Sequence, residues 1–243
     1  SEIKRLYNIG SAKINVSPAT SLTRGLVGYW TFDGKDMPSG LVKDVSGSGN
    51  HGSQIGLATS SAYIAGKIGQ GLRFPVVDTI NHIVSIDNST SLDITTNVSV
   101  AAWVKREKIS TTNFPIIFTK RFGAGNPWNN YILDLDSTTN RPEFCVSTGG
   151  SGSQTCARAT TAIAINVWAH LAGTYDGANL RVYVDGVLVN TTAKTGTINT
   201  ATIGAGIGGF NAAGTVLNNF TGLIDDVRVY NRALSDSEVK RLY

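Results

Sequence analysis

Short runs of apolar residues, many alternating with polar ones, follow one another along the chain from Gly25 onward. Turn residues separate them, which is the pattern of β-strands. Asp185-Gly186 sits between two of these runs and predicts a hairpin turn with positive φ. The predicted strands span residues 27–32, 71–74, 83–86, 98–104, 116–119, 131–135, 143–146, 168–174, 180–184, 187–190, 202–207 and 220–230.

A single helix is predicted, at the C-terminal end. Ser235 is placed as its N-cap and Glu238 as the third helical residue, which together form a capping box. Leu234, Val239 and Leu242 then line one face. Many short strands with one terminal helix predict an all-β fold, a two-sheet antiparallel jelly-roll sandwich with a short C-terminal helix.

The two ends of the chain carry nearly the same seven residues. Residues 1–7 read SEIKRLY and residues 237–243 read SEVKRLY. The repeat predicts a tandem array of similar domains, with covalent neighbours in a larger polypeptide. Residues 1–24 would be the tail of a preceding repeat and a linker, and residues 25–243 one domain. The alternative is one domain whose two terminal helices pack together.

Charge and apolar runs exclude two classes of partner. The chain has 21 Lys and Arg against 17 Asp and Glu, a net charge of +4, and no basic cluster. A nucleic-acid interface would concentrate that charge on one face, so no nucleic-acid partner is expected. No apolar run approaches the length of a membrane span, so no membrane insertion is expected.

Cys145 and Cys156 flank a Gly/Ser-rich segment, which places them at opposite strands of a hairpin. A disulfide between them is geometrically possible and would imply an oxidising, extracellular or cell-surface location. Two buried free thiols are the alternative.

Three segments, in order, resemble a laminin G-like (concanavalin A-like) domain of the bacterial type. They are GYWTFDG at 28–34 followed by DVSGSGNHG at 44–52, WAHLAGTYDG at 168–177 running into LRVYVDG at 180–186, and GLIDDVRVYNRALS at 222–235. The resemblance implies a jelly roll used for adhesion or glycan binding, often with one bound calcium. The same fold also hosts glucanases, so it does not by itself give a function.

A calcium site is predicted from two segments. The loop at 44–50 alternates oxygen-bearing side chains with glycines, as in a loop that wraps a hard cation. Strand alternation predicts Asp225 on the core-facing side, where a carboxylate needs a partner or a metal. Related jelly rolls use an acidic residue of this last strand together with loop oxygens. The expected ligands are Asp33, Asn50 and Asp225 with backbone oxygens of the 44–52 loop, while Asp44 either binds the metal or caps its own turn. The alternative is that 44–52 is only a polar loop and that Asp225 lies at a strand bulge facing water.

The sequence lacks the carboxylate pattern of glucanases on this fold, in which two acids face each other across a sugar. Asp134 and Asp136 share a face without a third acid, and we interpret them as a solvent-facing strand edge. His170 is interpreted as a hydrogen-bonded structural residue. We therefore expect that the chain is not an enzyme.

A candidate ligand surface lies at residues 120–131, a Gly- and Pro-containing loop with one Trp and three Asn. We expect Arg121, Asn126, Trp128 and Asn129 to contact a ligand, unless Trp128 packs back onto the sandwich. A second candidate is the Gly-rich stretch 204–214, with Phe210 and Asn211.

The prediction for function is therefore a non-catalytic, calcium-stabilised extracellular adhesion module that binds carbohydrate. Its partner would be a glycan or a cell-surface protein. The alternative is a structural or protein-binding repeat of a tandem surface array, with a glycoside hydrolase less favoured.

Overall fold

The computed structural model describes residues 22–57, 63–75, 82–109, 114–121, 123, 129–150, 154–212, 215–217 and 219–243. The predicted tail at 1–24 lies almost wholly outside these residues. The strands are β1 Leu26–Trp30, β2 Leu41–Val42, β3 Gly52–Ile55, β4 Tyr63–Ala65, β5 Gln70–Phe74, β6 Ile83–Ile86, β7 Val98–Arg106, β8 Ile116–Arg121, β9 Asn129–Leu135, β10 Pro142–Ser147, β11 Gln154–Arg158, β12 Ala169–Tyr175, β13 Asn179–Val184, β14 Val187–Ala193, β15 Ala205–Ile207, β16 Phe210–Ala212, β17 Thr215–Leu217 and β18 Gly222–Tyr230, and the helix is α1 Asp236–Leu242.

Two antiparallel eight-stranded sheets form a sandwich, as the strand pattern predicts. The first sheet has the order β14-β13-β12-β7-β18-β5-β4, with β1 also paired to β18. The second has the order β11-β10-β9-β8-β15-β6-β3-β2, and β16 pairs with β17 in a separate hairpin. Most predicted strands are confirmed within a few residues. The unpredicted β2, β3, β4, β16 and β17 are two to four residues long, too short to show a clear alternation.

The main core lies between the sheets. Alternate residues of β7, among them Val98, Val100 and Val104, point into it. From the facing sheet, Phe118 stacks between Trp30 and Tyr131, with ring centroids 5.8 and 6.1 Å apart. Alternation therefore sends the intervening residues to the outer faces, where polar and titratable side chains are positioned.

The C-terminal helix covers the outer face of the first sheet. Ser235 caps it, and the reciprocal bonds of the capping box with Glu238 are both present, as predicted. Arg232 donates two hydrogen bonds to the Glu238 carboxylate at 2.8 and 2.9 Å. Val239 and Leu242 pack on Ala101, Ala172 and Tyr230 of the sheet. The helix therefore seals a second apolar layer outside the main core.

Strand β18 changes partner and bulges at one point. Residues Gly222–Ile224 pair with β5, whereas Val227 and the residues after it pair with β1. The register against β7 shifts between Asp225 and Arg228. The predicted core-facing position of Asp225 is therefore wrong. Ile224, Val227 and Val229 face the core, and Asp225 lies opposite Trp103 on the outer side.

Cys145 and Cys156 face each other across β10 and β11 and form a disulfide with a Cα–Cα distance of 4.0 Å. The alternative of two free thiols is therefore excluded. The bridge lies on the outer face of the second sheet, in contact with Ile132 and Phe210. It ties the edge strand β11 to the sheet beside the polar residues described below.

Candidate ligand and metal sites

Asp225 sits where the chain leaving β1 and the turn leading into β5 meet. The backbone N–H groups of Lys67 and Ile68 donate to its Oδ2 at 2.8 and 2.9 Å. Its Oδ1 is buried and has no hydrogen-bond partner. Burial raises the pKa of Asp225 to about 7, partly opposed by the Ile68 N–H bond. This carboxyl is therefore incompletely satisfied by the protein itself.

Asp33 contacts the same turn from the other side. Gln70 N donates to Asp33 Oδ1 at 3.0 Å, and Gly34 N donates to Gln70 Oε1 at 2.7 Å. A Cβ on Gly66 would lie 2.5 Å from Asp225 Oδ2, and one on Gly69 would lie 2.3 Å from Asp33 Oδ1. The two glycines therefore allow a single turn to approach both carboxylates.

Asp44 and Asn50 close their own loop instead. Tyr29 N and Ser46 N donate to Asp44 Oδ1, and Asn50 N donates to its Oδ2, all at 2.8–2.9 Å. The Asn50 amide donates to Val27 O and to Ser91 Oγ. Of the two roles left open for Asp44, the structure shows the turn cap. The four predicted metal ligands thus fall into two groups, and only Asp33 and Asp225 contact the turn that leads into β5.

Within the described part of the chain, one group of three potential metal-ligating side chains lies close together. It consists of Glu143, Cys145 and Cys156. The two sulfurs are bonded to each other, so they are not thiolate ligands in this state.

The outer face of the second sheet carries two of the predicted ligand-binding residues. Arg121 donates to Asn129 Oδ1 at 3.3 Å and to Gly123 O at 2.6 Å. Its guanidinium carbon lies 3.6 Å from the centroid of the Phe210 ring. Burial lowers the pKa of Arg121 to about 10. Arg121 and Asn129 thus form one fixed unit, with Thr119 Oγ1 donating a further hydrogen bond to the same amide oxygen.

Two residues beside this unit were not among the expected contacts, although Asn130 lies within the predicted loop. Asn130 is 1% exposed and both of its amide atoms lack a partner; Ser147 is fully buried and its hydroxyl also lacks one. Tyr131 pairs with Val146, so Asn130 and Ser147 are the next residues along β9 and β10. We refer to Arg121, Asn129, Asn130 and Ser147 as the polar floor. Two sequence features could have pointed to these residues. The hairpin that joins Cys145 to Cys156 fixes the register of β10, and the alternation of β9 fixes which of its residues face outward.

Trp128 and Asn126 lie outside the described residues, as does the side chain of Asn211. Phe210, from the second candidate surface, packs on Arg121. The two candidate surfaces, residues 120–131 and 204–214, therefore contact each other through Arg121 and Phe210.

Asp134 and Asp136 are buried, at 3% and 2% exposure, and the interpretation as a solvent-facing edge is wrong. Strand β9 lies inside the second sheet, and Glu143 of the neighbouring strand β10 is directly opposite Asp134. Burial, and then the charge of Glu143, raise the pKa of Asp134 well above its usual range. Arg158 binds the Glu143 carboxylate at 2.7 Å. The third acid that the sequence lacked locally is thus supplied by the neighbouring strand.

This acid group has little of the geometry that glycosidases use. Asp134 and Glu143 face each other directly on neighbouring strands, and Arg158 pairs with the Glu143 carboxylate, whereas glycosidases place two carboxyls on either side of the scissile bond. Asp136 accepts backbone bonds from Thr139 and Arg141 within its own turn. Although burial acts to raise the pKa of Asp136, its hydrogen bonds, chiefly from Thr139, lower it well below the usual range.

His170 is buried on the outer face of the first sheet, which agrees with a structural role, and its Nδ1 has no hydrogen-bond partner. Its ring instead meets Trp103 edge-on, with centroids 5.2 Å apart, and lies 6.4 Å from the Tyr243 ring. Burial, followed by the charge of Arg228, lowers the pKa of His170 to about 4.

No helix within the described residues is long and apolar enough to cross a membrane. A search among curated proteins finds no significant match.

Solved structures share the fold across most of the chain. Domain 4 of an extracellular arabinanase of family GH43 from Geobacillus stearothermophilus, in complex with arabinotriose, is 24% identical with a TM-score of 0.66, covering 89% of this chain and 97% of that one. The binding domain of Paraclostridial Mosquitocidal Protein 1 is 14% identical with a TM-score of 0.69, covering 91% and 52%. The binding domain of botulinum neurotoxin DC, in complex with rat synaptotagmin II, is 14% identical with a TM-score of 0.66, covering 91% and 52%.

These identities are low, so the similarities show the fold alone. The chain also spans only about half the length of the two toxin binding domains. The family profile of the concanavalin A-like lectin/glucanases superfamily, by contrast, matches residues 78–240, more than half of the sequence. With its two-sheet antiparallel sandwich, the chain belongs to the concanavalin A-like lectin/glucanase superfamily.

Proposed function

We propose that this chain is a non-catalytic carbohydrate-binding module that takes its ligand on the polar floor. The observation that carries the proposal is the pair of unpartnered side chains, Asn130 and Ser147, beside the fixed Arg121–Asn129 unit. An amide and a hydroxyl offer both donors and acceptors, which match sugar hydroxyls. Each buried polar group left unpaired costs about 1–3 kcal/mol. A saccharide hydroxyl would supply the missing hydrogen bonds.

The acid group on the same face favours binding over hydrolysis. Glu143 is held in an ion pair with Arg158 at 2.7 Å and faces Asp134 on the neighbouring strand, which differs from two free carboxyls placed on either side of a sugar. The similar arabinanase domain is in complex with arabinotriose, which supports a saccharide as the ligand class. The disulfide supports an extracellular or cell-surface location for the module.

A glycan array, followed by calorimetry on any retained sugar and on arabinotriose, tests the proposal. Asn130→Ala should abolish retention without lowering the melting temperature, because the amide makes no hydrogen bond in the protein. Asn231→Ala, at an exposed turn, is the matched control and should retain the sugar. Retention unchanged in both Asn130→Ala and Trp128→Ala would refute the site. A wild-type chain that retains no sugar would favour the protein-binding repeat suggested by the duplicated terminal sequence.

We further propose that Asp33 and Asp225 hold a calcium ion beside the turn between them. Asp225 fits this role because its Oδ1 is buried without a partner. A carboxylate that is buried and unpaired gains most from a hard cation, and calcium prefers oxygen ligands of this kind. The Asp33 carboxylate reaches the same turn. The bound ion would supply charge compensation and fix the turn, with no chemical step.

Melting temperatures with calcium and with excess chelator test this second proposal. Calcium should raise the melting temperature of the wild-type chain, and Asp225→Ala should lose that rise. Asp176→Asn, whose carboxylate pairs with Arg181 instead, should keep it. Identical melts of the wild-type chain in both buffers would refute the calcium site.

A further inference from the structure

Arg106 ends β7 at the edge of the sandwich. The alternation that points Val100, Ala102 and Val104 into the main core also directs Arg106 inward. It lies opposite Gly222 of β18, and a Cβ at Gly222 would be 2.9 Å from the Arg106 Cα atom. The residue is only 5% exposed. A guanidinium therefore lies between the two sheets at one edge of the sandwich.

Two of the three nitrogens of this guanidinium lack a hydrogen-bond partner. Its Nε and Nη1 atoms are buried and make no hydrogen bond, and no carboxylate of the described residues pairs with it. The two other buried Lys and Arg side chains of the described residues both have partners. Lys120 pairs with Asp93 at 2.7 Å, and Arg121 donates a hydrogen bond to Asn129. Burial is the one cause that shifts the pKa of Arg106, and it lowers it.

An arginine cannot escape this situation by losing its proton, because its pKa remains far above neutrality. A buried charge without a counter-charge is strongly unfavourable. The planar fork of donors matches a carboxylate or sulfate through two parallel hydrogen bonds. We propose that Arg106 anchors a binding site for the oxyanion group of a ligand, a carboxylate or a sulfate, at this end of the sandwich.

A further unpartnered atom lies in the segment that leads into β18. Asn219 Oδ1 is buried without a hydrogen-bond partner. Glu107 N donates to Thr221 O at 3.0 Å, so this segment runs beside the end of β7. A hydroxyl next to the acid group of a ligand could donate to this oxygen. Arg106 and Asn219 together favour an acidic saccharide over a simple inorganic anion.

The site is separate from the polar floor. Phe220 N donates to Gly208 O, and Gly208 N donates to Ile117 O, which places the Arg106 end beside the start of β8. Arg121, in the polar floor, is at the other end of that strand. Anion binding at Arg106 can therefore be tested independently of sugar binding at Asn130.

Melting temperatures in sulfate, in chloride of equal ionic strength, in glucuronate and in glucose test the proposal. A specific anion should raise the wild-type melting temperature by about 3–5 °C for each tenfold excess over its dissociation constant. Arg106→Met should lose this specific rise, keeping only the general effect of sulfate on surface hydration. In chloride the variant should melt no lower than the wild type, because an uncompensated charge has been removed.

Arg73→Met is the matched control, since Arg73 lies at the same end but pairs with Glu107 at 2.8 Å. It should keep the wild-type response to anions. An Arg106-dependent rise with sulfate alone would assign the site to free inorganic anions, and one with glucuronate but not glucose would assign it to acidic sugars. Equal responses of wild type and Arg106→Met to every anion would overturn the proposal. So would a large loss of stability of the variant in chloride, which would mean that Arg106 is structural.

Discussion

Replacing His170 by Phe should remove a defined part of the acid sensitivity of the fold. The imidazole is 1% exposed and packs edge-on against Trp103. Its Nδ1 has no hydrogen-bond partner. A phenyl ring of similar size can take the same position, so the stability at neutral pH should change little. Only the ability to take up a proton is lost.

The size of the effect follows from the lowered pKa of His170. The pKa falls from 6.5 to about 4, chiefly because burial disfavours the charged ring. The folded state therefore binds this proton less readily than the unfolded state, and stability falls as the pH drops below 6.5. At about 1.4 kcal/mol per pKa unit, the loss reaches about 3 kcal/mol near pH 4. Above pH 6.5 the residue should contribute no pH dependence.

Urea unfolding of the wild type and of His170→Phe, at intervals between pH 4 and pH 7.5, measures the difference. Buried carboxyls with raised pKa values, such as Asp134, act in the opposite direction but are common to both proteins. As the pH falls to 4, the unfolding free energy of the variant should rise by about 3 kcal/mol relative to that of the wild type. His170→Gln, which also cannot titrate, should show the same trend from a lower starting stability. Parallel curves for wild type and His170→Phe would refute the assignment of a buried, neutral imidazole.

Two further predictions concern packing and covalent structure. The double change C145S/C156S opens a loop with a separation of 11 residues and should cost about 3 kcal/mol of unfolding free energy in chemical denaturation, as should reduction of the wild type. Gly173→Ala should lower stability by about 1–3 kcal/mol or more, because the new Cβ would lie 2.0 Å from the Phe144 ring of the facing sheet. Adding Phe144→Leu should restore part of that loss, and no recovery would argue against a direct clash.

Local features of the fold could be predicted because their signals lie within a few residues. The capping box at Ser235 and Glu238 needs only one turn of helix, and it is present. The Asp185-Gly186 turn has positive φ at both residues, as that dipeptide favours. The disulfide followed from the hairpin that places Cys145 opposite Cys156. Each of these depends on backbone preferences that hold wherever the segment is placed.

The candidate sites were predicted in part for the same reason. Arg121 and Asn129 were recognised from the composition of one loop, and they contact each other. Asn130, although inside that loop, and Ser147 were not predicted as contacts because their importance depends on a missing partner, which is a property of the packed sheet. Whether a buried polar group is satisfied depends on every element packed around it, so sequence patterns do not show it.

The sequence by itself determined the class of fold, the terminal helix and the family, because alternation, caps and short motifs are local. The tertiary structure decided which face each polar residue occupies. The bulge in β18 moves Asp225 to the outer side, and pairing with β10 places Glu143 against Asp134. Arg106 reads from sequence as an ordinary strand end, yet it is buried without a counter-charge. One extra residue in a strand reverses every following side chain, and long-range pairing sets the partners, so local patterns could not supply these sites.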